Sequence, residues 1–116
     1  MKTTVLKLSQ VIDGGICVAA SDGQKVYARL SRELDAGNRV VLSFDGVTRM
    51  TTAFLNAAVG QAYGEYSEQQ IKNQLGAPVD YEEWHIKRLR MVTKRAKNFF
   101  INKEEATKMI SEESDE

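Results

Sequence analysis

Two neighbouring hydroxyls, Thr51 and Thr52, stand immediately ahead of an apolar, helix-patterned run. A hydroxyl at a helix start faces free backbone N–H groups and the positive end of the helix dipole. It can serve as a plain N-cap, worth about 1 kcal/mol. A phosphate placed there would be held by the same donors, and would add charge and bulk to any surface pressed against the turn. Upstream, Asp45-Gly46 closes an apolar stretch. A carboxylate at the C-terminal end of a strand is well placed to meet a partner, and Asp-Gly is equally the chemistry of a simple turn. Asn56 follows one helical turn later, within reach of that loop or of a partner. Farther on, six basic residues lie between Lys87 and Lys97 with no acid among them. Lys87, Arg90, Lys94 and Lys97 share one helical face. Such a face binds phosphates in a salt-sensitive way, steers an acidic partner, or is simply solvated.

Other chemistry is excluded by what the chain lacks. One cysteine, Cys17, rules out an internal disulfide and an all-cysteine zinc site. One histidine, His85, removes His-paired catalysis and most zinc-enzyme arrangements. It reads as a packing or surface residue, and Cys17 as a small buried apolar side chain. There is no phosphate-loop motif, no dinucleotide fingerprint and no nucleophile–histidine pair. The reading is a chain without catalytic residues, cofactor or metal. Charge balances at 16 basic and 16 acidic residues over 116, so a globally basic nucleic-acid binder is not the default. No apolar run reaches the ~18–20 residues of a membrane span, and Met1–Val5 opens no secretory h-region. A reduced, cytoplasmic setting is the expectation.

These residues need elements to position them. Thr3 to Leu8 predicts a short strand, and Ile16 to Ala19 a second. The intervening Asp13-Gly14-Gly15 suits a hairpin or a looser loop. Ser21 and Gln24 fit a capping box, with Val26, Tyr27, Leu30 and Leu34 at helical spacing behind it. That predicts a helix over 22–35, ended by Gly37. Arg39 to Phe44 is the clearest strand. Its continuous Val40-Val41-Leu42 run suits burial on both faces of a parallel sheet. Val47 to Met50 reads as a crossing segment. A second helix starts near Thr51-Thr52, with Phe54, Leu55, Ala58, Val59 and Ala62 on one stripe. Gly60 and Gly64 there suit close helix packing. Ser67-Glu68-Gln69-Gln70 caps a shorter helix ending at Gly76, and Ala77-Pro78-Val79 is extended. Asp80–Glu83 opens a long helix with an Ile86, Leu89, Val92, Ala96, Phe99 stripe, flanked by Trp84 and Met91. Residues 103–116 read as a last helical segment and an acidic tail without regular structure, able to fold back over the basic face. Strands alternating with helices predict an α/β fold with a small mixed sheet.

The stretch Val40 to Tyr63, VVLSFDGVTRMTTAFLNAAVGQAY, resembles the STAS-like family of small bacterial and phage proteins of unassigned function. The resemblance is carried by the strand, by Phe44-Asp45-Gly46-Val47, by Thr51-Thr52, by Phe54-Leu55-Asn56 and by the small-residue helix with Gly60. Asp22-Gly23, Leu30 and Gly37 upstream also fit, and so does the long last helix. The resemblance covers about residues 3–100, so residues 1–102 are read as one STAS-like domain. It implies a small β-sheet packed with helices, and a non-enzymatic protein-binding module akin to anti-sigma-factor antagonists. The implied partner is a histidine-kinase-like ATPase or an anti-sigma-type regulator, docked at the strand-to-helix turn through Asp45, Thr51, Thr52, Phe54 and Asn56. Laid on the antagonist motif, Thr52 takes the phosphoacceptor position, while the acidic neighbour and the glycine of that motif are absent. Partner switching by phosphorylation is the implied signalling role. A small α/β sheet with an exposed edge can also form a homodimer. The alternative reading is a nucleic-acid-associated protein using helix 84–100.

Overall fold

The apolar run at residues 40–42 becomes the middle of a parallel sheet. In the computed structural model, which describes the backbone of residues 1–114 and the side chains of residues 1–101, strand β3 (Arg39–Ser43) pairs in parallel with β1 (Thr3–Lys7), Val5 opposite Val41. On its other side the extended segment around Pro78 runs alongside. The Gly76 N–H donates to the Val40 carbonyl at 2.8 Å, and the Val79 N–H to the Leu42 carbonyl at 3.0 Å. Flanked on both edges, β3 buries Val40 and Leu42 almost completely. Those two share one face of the strand; on the other face Val41 is half-buried and its neighbour Val5 is exposed, so the strand is not buried on both faces as its continuous apolar run suggests. A second parallel pair joins β2 (Ile16–Cys17) to β4 (Arg49–Met50), with Cys17 opposite Met50.

The chain is α/β, as its pattern of elements indicates, and its strands form two parallel ladders. β1 and β2 make no hairpin with each other. A helical turn, α1 (Leu8–Val11), follows β1 directly, and Asp13 at φ 58° bends the loop that leads into β2. The short crossing segment is β4 itself, given a strand partner by β2.

Helix α2 (Ala20–Asp35) begins earlier than its supposed capping box. Ala19 is the N-cap and offers no side-chain bond, so Ser21 lies within the first turn. The helix starts as soon as the strand ends, because the Gly23 N–H already reaches the Ala19 carbonyl at 3.2 Å. Its C-terminus is as expected. Gly37 adopts φ +77°, and the Gly37 and Asn38 N–H groups close back onto Leu34 and Glu33. Val26, Tyr27, Leu30 and Leu34 form the buried face.

That face packs on one continuous helical stretch made of α3 (Thr52–Leu55), a π turn (Asn56–Gly60) and α4 (Ala62–Glu65). The π turn is closed by the Gln61 N–H on the Asn56 carbonyl at 3.0 Å, and Ala57, Ala58 and Val59 are buried within it. Gly60 and Gly64 both face the last helix, and a Cβ at Gly64 would meet the Phe100 ring at 2.5 Å. Helix–helix packing therefore accounts for this pair. Helix α5 (Glu68–Gln74) opens on Ser67, whose hydroxyl accepts the Gln70 N–H at 3.0 Å.

The last helix, α6 (Glu83–Ser114), spans 32 residues, about 48 Å of rise. It crosses residues 102 and 103 without a break and carries part of the acidic segment in helical form. Glu112 thus stands about 22 Å beyond Lys97 along the same helix and does not fold back over it. Asp115 and Glu116 lie outside the described residues. The inward stripe of α6 differs from its sequence reading. His85, Val92 and Ala96 are buried and Phe100 packs on Gly64, whereas Phe99 is 60% exposed. The stripe follows a 3.6 period starting from a buried polar residue, which apolar pattern-reading passes over. Among the described residues no helix is long and apolar enough to cross a membrane.

α2 and the Thr52–Glu65 helical stretch approach each other closely at Gly23. A Cβ there would collide with the Phe54 carbonyl and sit 2.7 Å from the Ala57 Cβ. Gly23→Ala is expected to lower unfolding stability by about 2 kcal/mol through overpacking, read as a drop in the urea midpoint at unchanged m-value.

Candidate functional site

Thr51 is fixed in place by both of its hydrogen-bonding groups. Its N–H donates to the Cys17 carbonyl at 3.0 Å, and its hydroxyl donates to the Val18 carbonyl at 2.6 Å. The same hydroxyl accepts the Phe54 N–H at 3.1 Å and so caps α3. Thr51 is therefore a structural joint between β2 and the helix. Thr52, the first helical residue, is half-buried, and its side chain makes no hydrogen bond among the described residues. Of the two threonines, Thr52 is the one with a hydroxyl not committed to the fold.

From the other side, the turn is held by α6. The Arg88 guanidinium donates to the Met50 carbonyl and lies over the Trp84 ring, 5.6 Å from its centroid. Trp84 in turn packs on His85 at 3.9 Å between centroids, and His85 stacks on Phe44 at 5.1 Å. Both imidazole nitrogens are used. Nδ1 accepts the Glu82 N–H at 2.9 Å, so Nε2 carries the proton and donates to the Val47 carbonyl at 2.9 Å. The first of these bonds is the return half of a capping box at the start of α6. The second pins the Asp45–Thr48 loop. His85 is thus a buried packing residue, as its isolation in the sequence suggests.

Between these elements lies an open cleft of about 410 Å³, lined by Val18, Thr48, Arg49, Met50, Thr51, Trp84 and Arg88. No carboxylate lines it. Arg49 is exposed, Arg88 half-buried, and neither forms an ion pair among the described residues.

The other residues singled out in the sequence lie elsewhere. Asp45 is exposed in the turn after β3, where it pairs with Lys7 at 2.9 Å while its carbonyl accepts the Ser9 hydroxyl. With Gly46 at φ +81° behind it, this is turn chemistry. Phe54 is fully buried in the core, so its ring offers no surface to a partner. It occupies the inward stripe that its spacing with Leu55 and Ala58 describes. Asn56 is exposed and borders a second, more apolar cavity of about 320 Å³ with Gly60, Arg95, Ala96 and Phe99, separate from the Thr51 cleft. It makes no hydrogen bond to the Asp45–Met50 loop among the described residues. The basic face is divided. Lys87 pairs with Glu83 at 3.3 Å, and Lys97 turns inward to Glu68 at 3.5 Å and to the Tyr63 ring. Arg90 and Lys94 remain exposed without an ion pair among the described residues.

Trp84 and Arg88 are the site residues that the sequence did not place at this turn, whereas Arg49 ends the adjoining Asp45–Arg49 loop read as part of the docking surface. Arg88 stood among the six basic residues, and Trp84 beside the apolar stripe. Only the docking of α6 onto β4 brings them together. Among the described residues no cluster of His, Cys, Asp and Glu suits a metal ion.

Residues 22–77 match the model of a family described as a STAS-like domain of unknown function. Comparison with the curated proteins and with the solved structures returned no match.

Cys17, whose carbonyl holds Thr51, is fully buried. Burial first, and the Asp22 carboxylate second, push its thiol up to about 11 from 9.0. Burial and Glu65 likewise raise the Tyr27 phenol above its ordinary 10.0. The unfolded chain ionises these groups at their ordinary values while the folded chain keeps them neutral. The Cys17 contribution is therefore complete below pH 9.0 and is lost as pH rises toward 11, whereas that of Tyr27 is complete below 10.0 and falls only above it. In Cys17→Ala the alkaline fall of the urea midpoint is expected to begin one pH unit later, near the ordinary tyrosine value of 10.0.

Proposed function

We propose that this chain, whose residues 22–77 belong to the STAS-like family of unknown function, is a non-enzymatic binding module that docks a protein partner at the strand-to-helix turn. The partner is a kinase-type ATPase or an anti-sigma-type regulator, and the switch is phosphorylation of Thr52. One observation carries the reading: the two threonines divide their roles. Thr51 gives its hydroxyl to the Val18 carbonyl and the Phe54 N–H, which leaves Thr52 as the hydroxyl not needed by the fold.

The physics of such a switch is local. A phosphate at Thr52 adds nearly two negative charges at the rim of a surface that a partner must cover. Inside a desolvated interface that charge is costly unless the partner supplies cations. The phosphorylated form would leave the complex, and the dephosphorylated form would return to it. The nucleic-acid alternative draws less support, because two of its four basic residues, Lys87 and Lys97, are already paired with Glu83 and Glu68.

A tagged chain drawn through host lysate, with partners identified by mass spectrometry, tests the reading. The wild type and Thr52→Val are expected to retain the same ATPase-domain protein, and Thr52→Glu to retain about tenfold less or none. Equal retention by Thr52→Glu and the wild type would sink the switch. A set of partners lost on nuclease treatment would move the function to the exposed Arg90 and Lys94.

A further inference from the structure

The cleft beside Thr51 holds positive charge that the fold does not neutralise. Arg88 is half-buried against Trp84, and one of its N–H groups is fixed on the Met50 carbonyl. A guanidinium has five N–H donors, so about four remain for a ligand. The contact with the indole together with the carbonyl bond restrains the guanidinium in advance, which reduces the ordering cost of binding. Arg49 lines the same cleft from β4, exposed and without an ion pair among the described residues. The acidic residues at the start of α6 already have partners. Glu82 accepts the Trp84 indole N–H at 2.9 Å, and Glu83 pairs with Lys87.

We infer that this cleft is the subsite that receives a carboxylate side chain from an acidic segment of the protein partner, held between Arg49 and Arg88. The inference rests on the docking reading above and adds to it the chemistry of the partner. Arginine forks match carboxylates bidentately, and a half-buried guanidinium gives a stronger, more directional bond than a solvated one. A partner surface carrying Asp or Glu at its centre fits the cleft, and one carrying Lys or Arg there is rejected by like charge.

The only tryptophan of the chain, Trp84, lines the cleft and reports on it. Fluorescence titrations at low ionic strength would use hexaglutamate and, separately, inorganic phosphate, on the wild type, Arg49→Gln, Arg88→Gln and Arg90→Gln. Arg49 is exposed, so its variant tests the site without disturbing the fold. Arg90 is an exposed cation of the same helix outside the cleft and serves as the control. The expected result is saturable binding of hexaglutamate, weakened about tenfold in Arg49→Gln and Arg88→Gln and unchanged in Arg90→Gln. Equal weakening in all three variants would mean general attraction to a basic helix and would overturn the inference. Saturation by phosphate but not by hexaglutamate would overturn it in favour of a small-anion site. Should Arg49→Gln and Arg88→Gln bind hexaglutamate like the wild type while Thr52→Glu still fails to retain the partner, the subsite is wrong and the docking reading stands.

Discussion

Three distant parts of the chain converge on the carbonyls and amides of the Val18 and Met50–Thr51 backbone, and the rest of the molecule is arranged around that convergence. β2 and the residue after it supply acceptors at Cys17 and Val18, α3 supplies its first amides, and α6 supplies the Arg88 guanidinium. Each is a backbone or charged group that would be costly to bury unpaired. The parallel pairing of β2 with β4 is only two residues long, too short to hold itself. It persists because Thr51 and Arg88 close it at its Met50 end, while the Thr48 and Arg49 N–H groups on the Gly15 carbonyl close the other end. The placement of α2, which follows β2 after two residues, and of α6 is inherited from this joint.

The same joint explains the character of the cleft. Arg88 of α6 holds the Met50 carbonyl and so places a cation near the strand end, over the Trp84 ring. Behind Trp84, His85 and Phe44 complete a stack that reaches the core. A rigid wall therefore backs a polar surface, which is the usual condition for directional recognition. The second cavity, beside Asn56 and Phe99, has a more apolar lining.

Much of the fold was legible in the sequence, for identifiable reasons. β3 shows as a strand because its run is β-branched and apolar, and its Val40 and Leu42 face is fully buried. Gly37 and Ser67 show as helix ends because left-handed backbone and a side-chain acceptor are needed there. What was not legible depends on tertiary contact. The start of α2 is set by the end of β2 and not by Ser21. The face of α6 turns on His85, a polar residue satisfied by the Glu82 amide and the Val47 carbonyl, which no apolar pattern reveals. In the candidate site, the threonine pair was visible but its division of labour was not. Which hydroxyl is committed depends on the Val18 carbonyl, 33 residues away in the chain. Arg49 and Arg88 are 39 positions apart, and no local spacing joins them.

The π turn at Asn56–Gly60 has a consequence for chain length. It winds one more residue into the helix than an α-helical turn needs, and the flanking stretches keep their inward stripes, with Phe54 and Leu55 before it and Ala62 after it. A chain shorter by one residue within this turn can close it as ordinary α-helix and present the same two stripes to the core. This turn is therefore a place where the length of the fold can change by one residue without shifting either the threonine cap or the glycines that seat the last helix.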